Sequence, residues 1–228
     1  MKKRILLIFA VVLLLCGCNN SSTVEKPKND VALQCVSNHE HYDGYAYYNG
    51  QYTYMYTNDN GVEGWSVLLN NPFSTEPATG EICDTVDGLP IVSADRMYAF
   101  SNAESIDVSS FNSSNVYLMN SMFESAKATK IIGLDKLDTS NVINMSYMFS
   151  NTKFGEYDVS NFNTSKVYDM NFMFYMTNGK DYHIENFEIG DNTVAYGMFG
   201  DNDNGIPNVY VNNKNRSIWN NLLEIETK

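Results

Sequence analysis

His39 and His41 carry the side chains in this chain best suited to hold a metal ion. They flank Glu40, and Asp43 follows closely, so imidazole and carboxylate groups are concentrated in one short polar stretch. Both groups are common ligands of zinc and other transition metals. Two histidines on an exposed stretch are nevertheless few for a metal site, and the sequence favours a solvated loop.

A second acidic segment, 201–205, reads Asp-Asn-Asp-Asn-Gly and is similar to the start of a calcium-binding loop. Asp201 and Asp203 would supply its first ligands. Such loops place a bidentate glutamate at the twelfth position, where this chain has Asn212. A turn is therefore favoured, and the two aspartates remain weak candidates for a metal site.

Residues 1–18 have the pattern of a bacterial lipoprotein signal peptide. Three basic residues at positions 2–4 precede an apolar run over 5–15, which is too short to span a bilayer as a mature helix. The run ends in the segment 15–18, Leu-Cys-Gly-Cys, which is similar to a lipobox, and Cys18 would carry the lipid. An ordinary cleaved secretory signal and an uncleaved anchor are the alternatives.

The composition and charge of the remaining chain agree with anchoring through a lipid. Residues 19–31 have almost no apolar content, which predicts a flexible tether. Without the three basic residues of the leader, 12 basic residues stand against 27 acidic ones, a net charge of −15. This excess repels nucleic acid and anionic lipid head groups. We therefore expect an exported protein anchored on the outer face of a bacterial membrane by its lipid alone, with no nucleic-acid partner.

Cys35 and Cys83 are the cysteines left outside the leader. Two such cysteines in an exported protein are candidates for a disulfide. Their spacing alone leaves the pairing open.

Catalytic motifs are missing from the sequence. It has no Gly-x-Ser-x-Gly elbow, no Walker loop, no dinucleotide fingerprint and no His-Glu-x-x-His pattern, and it contains three histidines. We expect a protein that is not an enzyme and needs no cofactor.

A repeat of about 25 residues organises the second half of the chain. Each copy ends in an aromatic position, at Phe100, Phe123, Phe149, Phe174 and Phe199. In three copies a Val-x-x-Met-x-x-Met-Phe pattern leads to that position, and its helix-like spacing predicts a shared core. Self-similarity at this period predicts an α/β repeat solenoid, a short leucine-rich-repeat-like array of strand–turn–helix units.

The segment 42–56 contains seven tyrosines, alternating on both sides of Asn49-Gly50, which predicts a β-hairpin. A third strand is expected near Trp65. We therefore divide the chain into a β-rich N-terminal cap over 32–92, the solenoid over 93–204 and a C-terminal cap over 205–228. The C-terminal cap should contain a closing strand and a closing helix.

Three segments of the repeat carry a family resemblance. They are 122–129 (Met-Phe-Glu-Ser-Ala-Lys-Ala-Thr), 137–142 (Leu-Asp-Thr-Ser-Asn-Val) and 144–149 (Asn-Met-Ser-Tyr-Met-Phe). The chain resembles the BspA-like leucine-rich-repeat surface proteins, a mycoplasma-type lipoprotein repeat family of unknown function, over residues 91–200. The resemblance implies a surface-exposed interaction or adhesion module without catalytic residues.

The favoured hypothesis is a non-catalytic surface lipoprotein that binds an extracellular protein or glycan. Its ligand face would be the tyrosine hairpin or the predicted strand surface: Tyr45, Tyr47, Tyr52, Tyr54, Asp107, Ser109, Asp135, Asp158 and Ser160. The alternative is an accessory or solute-binding component of an envelope complex, with calcium at the Asp201 loop.

Overall fold

A mixed six-stranded β-sheet forms the first part of the fold. The computed structural model describes residues 32–59, 61–190 and 192–223. The predictions for the signal peptide, for Cys18 and for the tether lie outside these residues. Residues Ala32–Lys228 form one compact unit. The boundaries drawn from the sequence inside it, after residues 92 and 204, stay predictions.

The sheet contains strands β1 to β6 in the spatial order β1-β5-β6-β4-β3-β2. Neighbours are antiparallel except for the pairs β1–β5 and β4–β6, which are parallel. The strands span β1 Gln34–Cys35, β2 Ala46–Asn49, β3 Tyr52–Asp59, β4 Val62–Leu69, β5 Thr85–Val86 and β6 Leu89–Ser93.

The predicted tyrosine hairpin is confirmed as β2 and β3. Asn49 pairs with Tyr52 across the turn, and Gly50 has a φ of +57°, a left-handed conformation that glycine adopts without steric strain. The third strand near Trp65 is confirmed as β4. Because side chains alternate along a strand, Tyr52 and Tyr54 on β3 both point into the core, where they are completely buried.

The predicted α/β repeat solenoid is wrong. The protein is mainly β structure, and the part of the chain that the structure describes contains a single short α-helix, α1, at Arg216–Leu223. Within their described residues, the repeat copies contain no strand–turn–helix units. Beyond the six-stranded sheet, the strands are β7 Ile106–Asp107 paired with β8 Ile131–Ile132, and β9 Asp181–His183 paired with β10 Asn208–Tyr210.

Backbone hydrogen bonding explains why no helix forms where the spacing suggested one. In an α-helix each N–H bonds to the carbonyl four residues earlier. Here alternate N–H groups of one copy donate to carbonyls of the next copy, about 25 residues later. In the third copy the donors Met145, Tyr147, Phe149 and Asn151 reach the carbonyls of Asp169, Asn171, Met173 and Tyr175 at 2.7–2.9 Å. The Met-Phe segments are therefore strings of turns bonded to their neighbours.

The Met-Phe positions are core residues, as the sequence indicates. Their rings form a column in which Tyr98 opens the series in place of Phe100: Tyr98, Phe123, Phe149, Phe174 and Phe199. Adjacent ring centroids are 5.4–5.6 Å apart and the planes deviate by 1–8°. Phe100 itself is 58% exposed. In the first copy the ring of the column therefore lies two residues earlier than the sequence comparison placed it.

Buried threonine hydroxyl groups link each copy to the backbone of the next copy by hydrogen bonds. Thr164 Oγ1 accepts the N–H of Glu188 at 2.8 Å and donates to the carbonyl of the same residue at 3.0 Å. Thr139 makes the same pair of bonds with Asn163, at 2.7 and 3.1 Å. Each threonine hydroxyl therefore pairs with both the N–H and the carbonyl of one residue in the next copy, which lies outside any strand.

We expect Thr164→Val to lower the free energy of unfolding by about 1–3 kcal/mol, because it leaves the Glu188 N–H and carbonyl unpaired beside a buried methyl group. Thr164 is 1% exposed, so water cannot easily replace the hydroxyl. Chemical denaturation followed by circular dichroism measures the change. Thr164→Ser keeps the hydroxyl and is the matched control; an equal loss in both variants would contradict the hydrogen-bonding role.

The C-terminal segment closes the fold with the two elements that the sequence predicts. β10 pairs with β9 in parallel, with Val209 opposite Tyr182, and both side chains are buried. α1 follows a 3-10 turn at Asn213–Asn215, and its Trp219 is completely buried. The predicted closing strand and helix are both confirmed.

Candidate functional site

Cys35 and Cys83 form a disulfide with an S–S distance of 1.98 Å. The bond joins β1 to the segment preceding β5, and both residues are buried. The amide of Asn49, at the end of β2, lies 3.2 Å from each sulfur. The bridge therefore fastens the first described segment of the chain to the sheet.

His41 is held against the sheet and does not lie in a solvated loop. Its Nε2 is 2.8 Å from Oδ2 of Asp87, and its ring stacks on Tyr56 with centroids 5.0 Å apart. Burial disfavours the charged form of Asp87, but hydrogen bonds from Ser37 and His41 outweigh it and lower the pKa of this carboxyl group. The pair has a structural role, because it anchors the segment before β2.

Asp201 and Asp203 are engaged with other side chains. The hydroxyl of Tyr175 donates to Oδ2 of Asp201 at 2.5 Å, and Nζ of Lys153 is 2.6 Å from Oδ2 of Asp203. Among the residues that the structure describes, no three His, Cys, Asp or Glu side chains are grouped to hold a metal ion. The segment is a turn after the last copy.

The tyrosine hairpin contributes to the core more than to a surface. Tyr52 and Tyr54 are fully buried, so they cannot contact a ligand, and this part of the predicted ligand face is corrected. The hydroxyl of Tyr52 lies 2.9 Å from that of Tyr98, while the hydroxyl of Tyr54 accepts the N–H of Cys83. Tyr45 and Tyr47 are partly buried against the same core.

Burial keeps these phenol groups neutral. It raises the pKa of Tyr52 and that of Tyr54 to about 12, because the charged phenolate would lose its hydration. Burial also raises the pKa of Tyr98, and the neighbouring Tyr52 hydroxyl adds to the effect. The three groups act as uncharged hydrogen-bonding partners inside the fold.

The predicted ligand face on the repeat strands is not a continuous strand surface. Asp107 lies in the two-residue strand β7, while Asp158 and Ser160 lie in a loop. The Oδ1 of Asp107 accepts the N–H of Ser109 at 2.9 Å, and Asp158 accepts the N–H of Ser160 at 3.1 Å.

These aspartates therefore stabilise local turns through bonds two residues ahead. The hydrogen bonds from Ser160 also lower the pKa of Asp158. Asp135 lies in a 3-10 turn at Leu134–Lys136 and is paired with Lys136 at 2.8 Å. The carboxylates of this predicted face serve turns and an adjacent ion pair, and they do not lie on one shared strand surface.

Three aromatic side chains from successive copies contact one another on the surface, and we call Tyr147, Phe172 and Tyr196 the aromatic row. The rings of Tyr147 and Phe172 are stacked with centroids 4.9 Å apart, and Tyr196 meets Phe172 edge to face at 5.4 Å. Tyr147 is 38% exposed and Tyr196 is 69% exposed. The row offers aromatic surface and two phenol groups and contains no charged side chain.

The backbone holds two members of the row in an unfavourable conformation. Tyr147 and Phe172 have φ values of +58° and +57°, a region that bulky residues rarely adopt and that costs about 1–3 kcal/mol per residue. The last copy has Gly197 at the same position, with φ +61°. Glycine thus fits this position without strain, whereas two copies place an aromatic ring there.

Gly197 also makes room for the row. A Cβ atom at this residue would lie 2.6 Å from Cε1 of Phe172, so any larger side chain would displace that ring. Tyr196, the preceding residue, supplies the ring of the last copy. Its N–H donates to Oδ1 of Asn171 at 2.7 Å, which fixes the backbone beside Phe172.

The sequence analysis did not identify this row, although a signal was present. Tyr147 and Phe172 each stand directly before a Met-Phe pair, and Tyr196 stands two residues before the last one. The helical interpretation gave Tyr147, Phe172 and Tyr196 no common surface. Their rings meet only because the copies are paired in parallel.

No helix among the described residues has the length and apolar character needed to cross a membrane. The family model described as "Mycoplasma protein of unknown function, DUF285" matches residues 94–209, slightly more than half of the chain. This range contains the whole aromatic row. No curated protein and no solved structure matches the chain.

Proposed function

The chain belongs to the Mycoplasma family of unknown function DUF285, and from this premise we propose that it is a non-catalytic surface lipoprotein that binds an extracellular protein or glycan. The surface-protein character of the BspA-like proteins that it resembles is part of this proposal. Anchoring through Cys18, export and exposure on the outer face of the bacterial membrane are its other parts.

The aromatic row is the observation that carries the binding function. Exposed tyrosine and phenylalanine rings provide large contact areas at a low cost in conformational entropy, and such residues are enriched in binding surfaces. Burial of the rings against a partner would remove apolar surface from water. The left-handed conformation at Tyr147 and Phe172 recurs at the same position of the other copies, where the residues are Arg96, Ser121 and Gly197, so the repeated turn itself holds these rings in line.

The lipid anchor and the acidic charge support the location. The leader pattern over 1–18 ends at Cys18, and the acidic excess of the remaining chain disfavours binding to anionic membrane surfaces. The disulfide between Cys35 and Cys83 suits an oxidising environment outside the cytoplasm.

The test is binding of the compact unit 32–228 to arrays of extracellular matrix proteins and glycans. We expect Tyr147→Ser combined with Tyr196→Ser to weaken binding of the selected ligand by at least about tenfold, because two exposed ring contacts are lost. Surface plasmon resonance with the purified ligand measures the dissociation constant.

Tyr48→Ser is the matched control, because Tyr48 is 70% exposed but lies on β2 and not in the row. It should leave binding unchanged. Turnover of a polysaccharide or peptide by unit 32–228, without binding on either array, would contradict the proposal, as would equal losses for the control and the row variant.

A further inference from the structure

The last repeat copy has an edge of backbone donors without acceptors. In the preceding copy, Met170, Phe172, Phe174 and Met176 donate their N–H groups to carbonyls of the next copy at 2.8–3.0 Å. The equivalent donors of the last copy include Gly197, Phe199 and Asp201. Their N–H groups make no hydrogen bond to any residue within 32–59, 61–190 or 192–223.

A groove runs along this edge. It has a volume of about 440 Å³, and the segment 196–202 forms one of its sides. The other lining residues are Gly205 and the apolar residues Ile206, Pro207, Leu222 and Leu223. Ile206 is 83% exposed and offers apolar surface to a partner. Unbonded backbone donors and apolar side chains in one groove are the two features that an extended peptide requires.

The opposite end of the stacked copies is closed. The carbonyl of Met97 in the first copy accepts the N–H of Leu69 on β4 at 2.9 Å, and Ser93 pairs with Ser66. The carbonyl of Met97 is therefore not available to the open edge of a second molecule, because β4 already occupies it.

We propose that the edge formed by Gly197, Phe199 and Asp201 binds an extended segment of a partner polypeptide. Carbonyls at alternate positions of that segment accept the three N–H groups, and its apolar side chains pack against Ile206. The carboxylate of Asp201 at the end of the groove favours a neutral or basic segment. This site adjoins the aromatic row at Tyr196, and it adds a polypeptide partner that the aromatic row does not specify.

The probe is a blocked synthetic peptide with the sequence of residues 170–177, which has no charged side chain. In the folded chain this segment already accepts the bonds of the preceding copy, through the carbonyls of Asn171, Met173 and Tyr175. Its backbone therefore presents acceptors at the required spacing. A peptide of the same composition in scrambled order is its control.

Amide exchange of unit 32–228, followed by NMR, tests the site directly. We expect the amides of Gly197, Phe199 and Asp201 to exchange faster than those of Phe172 and Phe174, and to slow when the probe binds. Slow exchange of all three in the free protein would overturn the proposal, because the donors would then already be bonded.

Binding affinity provides the second readout. We expect Ile206→Glu to weaken binding of the probe about tenfold through loss of one apolar contact, and Ile218→Glu to have no effect. Ile218 is the matched control, since it is 51% exposed on α1 but does not line the groove. Equal effects of the two substitutions, or equal binding of the scrambled peptide, would overturn the proposal.

Truncation of the chain after Leu223 tests whether the occupant of the edge is a partner or the protein's own last residues. We expect the truncated chain to bind the probe with the same affinity as the full unit. If the truncated chain bound the probe and the full unit did not, residues 224–228 would occupy the edge, and the proposal of a partner would be wrong. Because Tyr147 does not line the groove, the single variant Tyr147→Ser should bind the probe normally even if the proposed function fails.

Discussion

Replacement of Phe149 by alanine is expected to lower the free energy of unfolding by about 3–5 kcal/mol, the usual range for a buried phenylalanine. Phe149 is completely buried at the centre of the ring column, between Phe123 and Phe174. It also touches Phe154 and Tyr157 from the side. The cavity would interrupt contacts on both faces of the ring. Urea denaturation followed by circular dichroism measures the loss.

Phe100→Ala is the matched control for this prediction, because Phe100 belongs to the same repeat series but is mostly exposed. We expect it to change stability by less than about 0.5 kcal/mol, as most surface substitutions do. A small effect of Phe149→Ala, similar to that of Phe100→Ala, would show that the column is not the core of the repeat region.

Removal of the disulfide is the second large effect that we expect. The combined change Cys35→Ala and Cys83→Ala should lower the free energy of unfolding by about 4 kcal/mol, because the bond closes a loop of 48 residues and restricts the unfolded chain. Thermal and urea denaturation of the oxidised protein and the variant measure the difference.

A reducing agent provides the control for the disulfide. It should destabilise the wild-type protein to about the level of the double variant and leave the double variant unchanged. If thiol labelling showed two free cysteines while the unfolding midpoint of the wild-type protein stayed the same, the stabilising role of the bridge would be refuted.

The N-terminal hairpin could be predicted because its signals are local. Alternating tyrosines and the Asn49-Gly50 turn specify two strands through contacts among near neighbours, and β2 and β3 form as expected. Which face of the hairpin is buried depends on residues far along the chain. Tyr52 lies against Tyr98, and the hydroxyl of Tyr54 bonds to Cys83, so the tyrosines that looked available for binding are core.

The repeat region shows where the local pattern was insufficient. Apolar residues at Val167, Met170, Met173 and Phe174 fit a helical period, and all four are buried as that pattern requires. A string of turns whose donors bond to the next copy places the same residues inward. Choosing between the two requires the long-range hydrogen bonds, and these are visible only when neighbouring copies are paired.

The sequence by itself determined the period of the repeat, the buried Met-Phe positions, the hairpin and the acidic character of the surface, because each depends on residue type and short spacing. The tertiary structure decided the backbone conformation of the copies, the partner of each tyrosine and the contacts within the aromatic row. Tyr147, Phe172 and Tyr196 are about 25 residues apart, and parallel hydrogen bonds between copies bring their rings within 4.9–5.4 Å. Contacts across such separations arise from the pairing of whole segments, and local propensity does not specify them.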